Sequence, residues 1–143
     1  CAVLLPTRYR WIRMHLAVAG AVAVGGAVGG LARHGFSVAF PYAPGHIPYV
    51  ILAINISGAF VLGVLGPWLV RQHPDHPLIR RALTTGLMGA FTTFSTYALD
   101  LVWLIDAGRP AAALAYLTAS LVLGLFAAGS GLALANRHRN SVS

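Results

Sequence analysis

The chain contains no lysine and no glutamate. Its only carboxylates are Asp75, Asp100 and Asp106, and all ten basic residues are arginines. Charged residues are 9% of the 143, where a soluble domain carries about a quarter. An enzyme needs clustered catalytic groups. The one cluster is His73-Pro74-Asp75-His76, whose composition and spacing fit a solvated loop better than a metal site. Enzymatic activity is therefore not expected. The single cysteine, Cys1, excludes an intrachain disulfide and leaves the redox compartment unread. A lipidated mature N-terminus at Cys1 has no sequence support of its own. The chain does not begin with methionine, and Met14 is a plausible start, which would make residues 1–13 an upstream extension.

What the chain has instead is apolar length. Hydrophobic residues make up 57%, gathered into uncharged stretches at 16–32, 47–70, 82–99 and 110–135. The third continues past Asp100 to Ile105. A helix needs about 20 apolar residues to cross a bilayer. Trp11 and Ile12 extend the short first stretch into the interface, so the expected spans are about 12–32, 47–70, 82–105 and 110–135. Arg8, Arg10 and Arg13 before an apolar run also resemble a signal peptide, but Arg33 and three further spans fit an intact bundle better. β-barrel strands alternate over short segments, whereas these runs are continuous. The fold expected is an all-α, integral membrane four-helix bundle forming a single transmembrane domain.

The connections are short. Residues 34–46 hold Pro41, Pro44 and Gly45 and read as a loop, as do residues 71–81. In 106–110, Gly108 can end one helix and Pro110 can open the next. With four spans, both termini and the middle loop share one side. That side carries Arg8, Arg10, Arg13, Arg71, Arg80, Arg81, Arg137 and Arg139, against Arg33 and Arg109 on the other. The positive-inside rule places both termini in the cytoplasm of a cell inner (plasma) membrane. The net charge of +7 would suggest nucleic acid in a soluble chain. Arginines set between apolar runs read as topology instead, so the partner expected is the lipid bilayer and not nucleic acid.

Polar residues inside the spans carry the chemistry. Gly25-Gly26-Ala27-Val28-Gly29-Gly30 contains two overlapping GxxxG pairs, which allow close helix packing. Arg33 follows, placed either to snorkel to the interface or to draw anions toward a vestibule. Asn55 stands near the middle of the second span and needs a partner, as an interhelical bond or as a pore-lining donor. Ser57 can bond its own backbone. The third span holds Gly86-Leu87-Met88-Gly89-Ala90-Phe91-Thr92-Thr93-Phe94-Ser95-Thr96-Tyr97. Glycines with β-branched and hydroxyl residues suit a regular helix poorly. The run predicts either a kinked packing helix or a broken one whose carbonyls are free to coordinate cations. On the fourth span Tyr116, Ser120 and Gly124 recur every four residues and make a narrow polar stripe.

These elements, in order and spacing from about Gly25 to Gly131, resemble the Fluc/CrcB family of fluoride channels. The Thr92-Thr93-Phe94-Ser95-Thr96 element is the specific part. The resemblance implies a broken third helix and a dimer of oppositely inserted subunits. It implies two narrow fluoride pores and a central structural sodium ion (Na+). Carried over by position, Asn55 is the pore asparagine and Phe94 the first ring of an aromatic box. Tyr97 stands where a second phenylalanine is usual. Gly89 and Thr92 supply the backbone carbonyls for sodium. Ser95, Thr96, Tyr116 and Ser120 match the polar track, and Asp100 replaces a usual glutamate.

Elementary chemistry agrees with that implication. Fluoride is tightly hydrated, so leaving water requires replacement donors, which Asn55 and the hydroxyls provide. Aromatic edges are weakly positive, so Phe94 can face an anion with its rim. The function implied is passive export of cytoplasmic fluoride, limiting its toxicity. Dual insertion of one sequence needs a nearly balanced charge bias, and this chain is strongly biased. An oppositely oriented second subunit of opposite bias is therefore favoured, and a homodimer is possible if the N-terminal arginines are not translated. Two rivals remain: a non-conducting accessory subunit and a small multidrug-type transporter. The latter requires a carboxylate in the first span, and this span has none.

Overall fold

The structure, a computed structural model, describes residues 5–140, with side chains described from 11 to 137. Cys1 and the side chains of Arg8, Arg10 and Arg139 lie outside the described residues. Among the described residues all regular structure is helical. The elements are α1 (Leu5–Ala39), α2 (Tyr49–Gln72), α3 (Pro77–Arg81), a π-helical stretch (Ala82–Met88), α4 (Gly89–Phe91), α5 (Phe94–Asp106) and α6 (Pro110–Asn140). Four spans are long and apolar enough to cross a membrane: Trp11–Ala39, Tyr49–Gln72, Pro77–Asp106 and Pro110–Arg137. The chain is an integral membrane four-helix bundle.

The sequence places the end of the first helix too early. Residues 34–39, expected in a loop, continue α1. Gly35 alone does not stop a helix, and Ser37 Oγ spends its hydrogen bond on the Arg33 carbonyl inside it. The stop comes at Phe40, which precedes Pro41 and is pushed out of helical backbone by the proline ring. The loop before α3 is likewise shorter than expected, because Pro77 opens a helical turn at its first position.

Between α5 and α6 the chain reverses on Gly108, with φ of 70°. The Gly108 and Arg109 amides return to the Ile105 and Leu104 carbonyls at 2.9 Å each, the pairing that closes a helix C-terminus on a left-handed glycine. The other left-handed glycine is Gly45, in the loop after α1, with φ of 78°.

Glycines decide which helices touch. A Cβ on Gly25 would overlap the Ala82 carbonyl, and one on Gly29 the Leu87 carbonyl. Gly86 answers from the other side: a Cβ there would lie 2.6 Å from the Val22 carbonyl oxygen. Thus one GxxxG pair, Gly25 and Gly29, seats α1 backbone-to-backbone on the π-helical stretch. The second pair is not part of this contact: Gly26 has only ordinary contacts and Gly30 faces open space. Gly63 of α2 and Gly131 of α6 make the equivalent approach, to the Ala128 and Phe60 carbonyls. The third span therefore joins two tight pairs, resting on α1 with its first half and on α6 with α5. Ile51, Ile54, Tyr97, Leu104, Ala113 and Tyr116 form the buried core among α2, α5 and α6.

Substitution of Gly29 by leucine should lower stability by about 1–3 kcal/mol through overpacking against backbone. Gly30→Ala should change it by less than about 0.5 kcal/mol. Thermal unfolding of the detergent-solubilised protein checks the pair, and equal effects would refute the assignment of the packing face.

Candidate functional site at the third-span break

The third span loses its helix at two residues. Thr92 (φ −74°, ψ 156°) and Thr93 (φ −144°, ψ 122°) are extended. The last regular bond runs from the Thr92 amide to the Met88 carbonyl, 3.0 Å. The next amide, Thr93 N–H, has no carbonyl to bond. It donates instead to Asn55 Oδ1 at 2.9 Å, and Asn55 Nδ2 donates back to the Thr93 carbonyl at 3.1 Å. One side-chain amide thus pairs both backbone groups of the extended residue. The acceptor that Thr93 N–H requires fixes which end of the amide is which. Asn55 was expected either to bond a neighbouring helix or to line a pore; the bond it makes is to the break itself. A Cβ on Gly58, one turn along α2, would overlap Thr92 Cγ2, so Asn55 and Gly58 together seat the break against α2.

Thr93 then starts α5. Its hydroxyl accepts from the Thr96 amide (3.2 Å), donates to Thr96 Oγ1 (3.0 Å) and lies 3.3 Å from Ser95 Oγ. This is an N-cap. Thr93 was quoted in the motif but given no role of its own. With Thr92, Thr93 and Ser95 all able to cap, only the Thr93–Thr96 spacing hints at the choice.

The break frees carbonyls. Gly89 loses the amide of Thr93, and Thr92 loses that of Thr96, which the cap has taken. Ala90 finds another donor: Arg33 Nε, at 3.1 Å. Arg33 does not end its helix, which runs on to Ala39. From the last two turns of α1 its Nε reaches the third span and satisfies a carbonyl just before the break. No signal in the sequence marks Ala90 as its partner.

Asn55, Thr92, Thr93, Phe94, Tyr97, Ser120 and Leu121 line a groove of about 270 Å³ among α2, the break, α5 and α6. Phe94 is 80% exposed at its edge, whereas Tyr97 is 8% exposed. Their ring centroids are 6.0 Å apart, and that of Tyr97 is 5.2 Å from buried Tyr116. The hydroxyls of Tyr97, Tyr116 and Ser120 are buried without a hydrogen-bond partner. The structure thus brings Asn55, Phe94, Tyr97 and Ser120 to one groove, with Tyr116 behind it. Ser95 and Thr96 belong to the cap, and Arg33 and Gly89 are not among the lining residues. A second cavity of about 440 Å³ lies between α1, α2 and α4, lined by aromatic and aliphatic side chains. Ser57 lines it too, but its hydroxyl is spent on the Ile54 carbonyl at 3.1 Å. That cavity is poorly equipped to hold an anion.

At the far side of Tyr97, Asp100 is 2% exposed and accepts a 2.9 Å bond from the Tyr42 hydroxyl on Oδ1. Tyr42 lies in the loop after α1, which Arg109 Nη1 also grips through the Gly45 carbonyl at 2.9 Å. Burial, and then the bond to Asp100, push the Tyr42 hydroxyl's pKa upward. Among the described residues no three His, Cys, Asp or Glu side chains gather to hold a metal ion, so His73, Asp75 and His76 make no such site.

Residues 20–132 match the family described as CrcB-like protein, Camphor Resistance (CrcB). The chain belongs to the CrcB family. It is 43% identical over 104 residues to "Fluoride-specific ion channel FluC 2" of Streptomyces avermitilis, covering 73% of this chain and 66% of that one. It is 37% identical over 105 residues to FluC 2 of Nocardia farcinica, covering 73% and 75%. It is 38% identical over 122 residues to FluC 3 of Streptomyces avermitilis, covering 85% and 60%. The chain therefore spans 66% of the first relative's length.

Asn55→Leu should leave two backbone groups of Thr93 unpaired, at about 1–3 kcal/mol each, seen as a lowered unfolding temperature in detergent. Tyr42 gives a pH test. Its folded pKa lies above the unfolded value of about 10, so in that window the folded chain keeps a proton the unfolded chain has lost. Stability should be full below about pH 10 and fall as pH rises further. Tyr42→Phe should be less stable at neutral pH, with a flatter profile; an unchanged profile would show that the Tyr42–Asp100 bond carries no such linkage.

Proposed function

We propose that this CrcB chain is one subunit of a fluoride-specific channel that lets cytoplasmic fluoride leave passively. The observation that carries the reading is the groove at the break: uncharged donors, an aromatic edge and no fixed cation, in a chain whose relatives are named as fluoride-specific ion channels. The relatives are named as ion channels, a class that is not enzymatic. Donors without a full positive charge replace hydration yet leave the ion free to depart, as conduction requires. Asn55 holds the break in register, and its second amide hydrogen is available to an ion in the groove. Phe94 offers its edge, and Tyr97, Tyr116 and Ser120 offer hydroxyls. Hydrogen fluoride crosses the membrane neutral and ionises inside. An inside-negative potential then favours exit by about 2.3 kcal/mol per 100 mV.

The groove is open on one side, and Phe94 is too exposed to complete a box within its own chain. An oppositely oriented second subunit would close it. The arginine bias favours a paralogue for that role, with both termini of this chain cytoplasmic in the inner (plasma) membrane. Two relatives from Streptomyces avermitilis, numbered 2 and 3, support the idea that such chains coexist in one cell. The sodium expectation fits the donors present. The Gly89 and Thr92 carbonyls are freed by the break, and Gly89 is exposed, so two such chains can offer four hard oxygens to a Na+ ion between them. Bound there, the ion would neutralise those oxygens and fasten the two subunits.

Fluoride efflux from liposomes, followed with a fluoride electrode, tests the reading. Efflux is expected when the chain is reconstituted with an oppositely biased CrcB chain from the same genome. Efflux from this chain alone would support a homodimer and sink the pairing argument. No efflux from either folded, assembled preparation would favour a non-conducting accessory subunit.

A further inference from the structure

The arginines at the two ends of the bundle differ in what they hold. Toward the end that carries the loop after α1, Arg33 and Arg109 each donate to a backbone carbonyl. At the opposite end stand Arg13, Arg71, Arg80, Arg81 and Arg137, and the only carboxylate there is Asp75. Arg71 is engaged. Its Nη1 donates to the Ala135 carbonyl at 2.8 Å and its Nη2 to Asn136 Oδ1 at 3.1 Å, which ties the end of α2 to α6. The arginine hydrogen bonds among the described residues thus belong to Arg33, Arg71 and Arg109, and the guanidinium groups of Arg80 and Arg81 are left open.

Those two residues close α3, the short turn through which the third span begins. Leu78 and Ile79 stand just before them, 39% and 44% exposed. Trp68, in the last turns of α2, is 46% exposed. Its ring lies 5.8 Å from that of His73, which in turn lies 5.9 Å from His76, the residue before α3. Exposed apolar side chains therefore stand beside open guanidinium groups where the chain enters the membrane. A water-soluble anion would match the arginines and leave the apolar residues uncovered. A phospholipid matches both. Its phosphate accepts paired guanidinium bonds, and its acyl chains cover Trp68, Leu78 and Ile79 at the interface. The excess of arginine over carboxylate selects a headgroup with net negative charge.

We propose that Arg80 and Arg81 are a docking site for the phosphate of an anionic phospholipid, which anchors the entry of the third span. The effect reaches the interior through two short links. The Arg80 carbonyl accepts the Thr84 hydroxyl at 2.8 Å, inside the π-helical stretch. The Ala82 carbonyl packs against Gly25 of α1. A lipid that holds Arg80 and Arg81 therefore steadies the start of the segment on which α1 rests. The site is separate from the groove and does not depend on which ion the groove carries.

The test uses the assembled protein in liposomes, with Trp11→Phe and Trp103→Phe so that Trp68 alone reports. Its fluorescence is quenched with brominated phosphatidylglycerol and, separately, with brominated phosphatidylcholine. The ratio gives the local preference for the anionic lipid. It should favour phosphatidylglycerol, and fall about fivefold for each arginine removed by Arg80→Gln and Arg81→Gln. Arg13→Gln with Arg137→Gln removes the same charge from the same end and should leave the ratio unchanged. An equal fall in that control would overturn the proposal in favour of general surface attraction. Absence of any preference before Arg80 and Arg81 are changed would overturn it as well. Displacement of phosphatidylglycerol by inorganic phosphate would assign the site to a free anion, and that too would overturn it. If the double arginine variant does not fold, Arg81→Gln alone, at the exposed position, decides the question by the same ratio.

Discussion

The hydrogen bonds between Asn55 and Thr93 hold the arrangement together. Inside a bilayer no water can satisfy a backbone amide or carbonyl, so an extended residue in a membrane span needs a substitute partner for each. Asn55 supplies both at once, at 2.9 and 3.1 Å. The Thr93 hydroxyl extends the repair by capping the helix that follows, and Arg33 takes the Ala90 carbonyl left on the other side. Three side chains, from α1, α2 and the break itself, thus share the cost of interrupting one helix. Each is polar or charged in a chain that is otherwise sparing with such groups.

Close backbone packing makes these bonds possible. Arg33 is part-buried beside the break because α1 lies against the third span, and α1 lies there because Gly25 and Gly29 offer no side chain to hold it away. Asn55 reaches Thr93 because Gly58 lets α2 approach Thr92. The π-helical stretch is where α1 makes its closest contact, and such segments often mark functional regions of helices. A larger residue at any of these glycines would separate donor from acceptor far from its own position.

Much of this was legible in the sequence, for identifiable reasons. Uninterrupted apolar length announced four spans, because bilayer thickness admits few alternatives. Gly108 before Pro110 announced the last turn. The hydroxyl-rich third span suggested an interruption, and Asn55 announced that it needed a partner. What escaped depended on contacts between distant residues. Nothing near Arg33 reveals that Ala90, 57 residues away, will need its proton. Nothing near Tyr42 names Asp100. Equal candidates also defeat a linear reading. Among Thr92, Thr93 and Ser95 the cap fell on Thr93, and of two glycine pairs only Gly25 and Gly29 became the tight contact. The end of α1 was set too early because the uncharged stretch stops before Arg33, whereas the helix itself runs on until Pro41 forbids it.

The break also divides charge without using charged side chains in the groove. Every helix carries partial negative charge at its carbonyl end and partial positive charge at its amide end. An unbroken span would leave both at the membrane surfaces. Interrupting it at Thr92 and Thr93 brings one of each into the interior: the carbonyl end of α4 and the amide end of α5, beginning at Phe94. The first suits a cation and the second an anion. Arg33 partly offsets the carbonyl end, and buried Asp100 lies two turns beyond the amide end. Along α5, favourable partial charge therefore stands where the uncharged donors gather, and a buried carboxylate stands further on. The full charges nearest the break, Arg33 and Asp100, lie outside the groove lining, so the polarity of the groove comes from helix ends, one amide and hydroxyls.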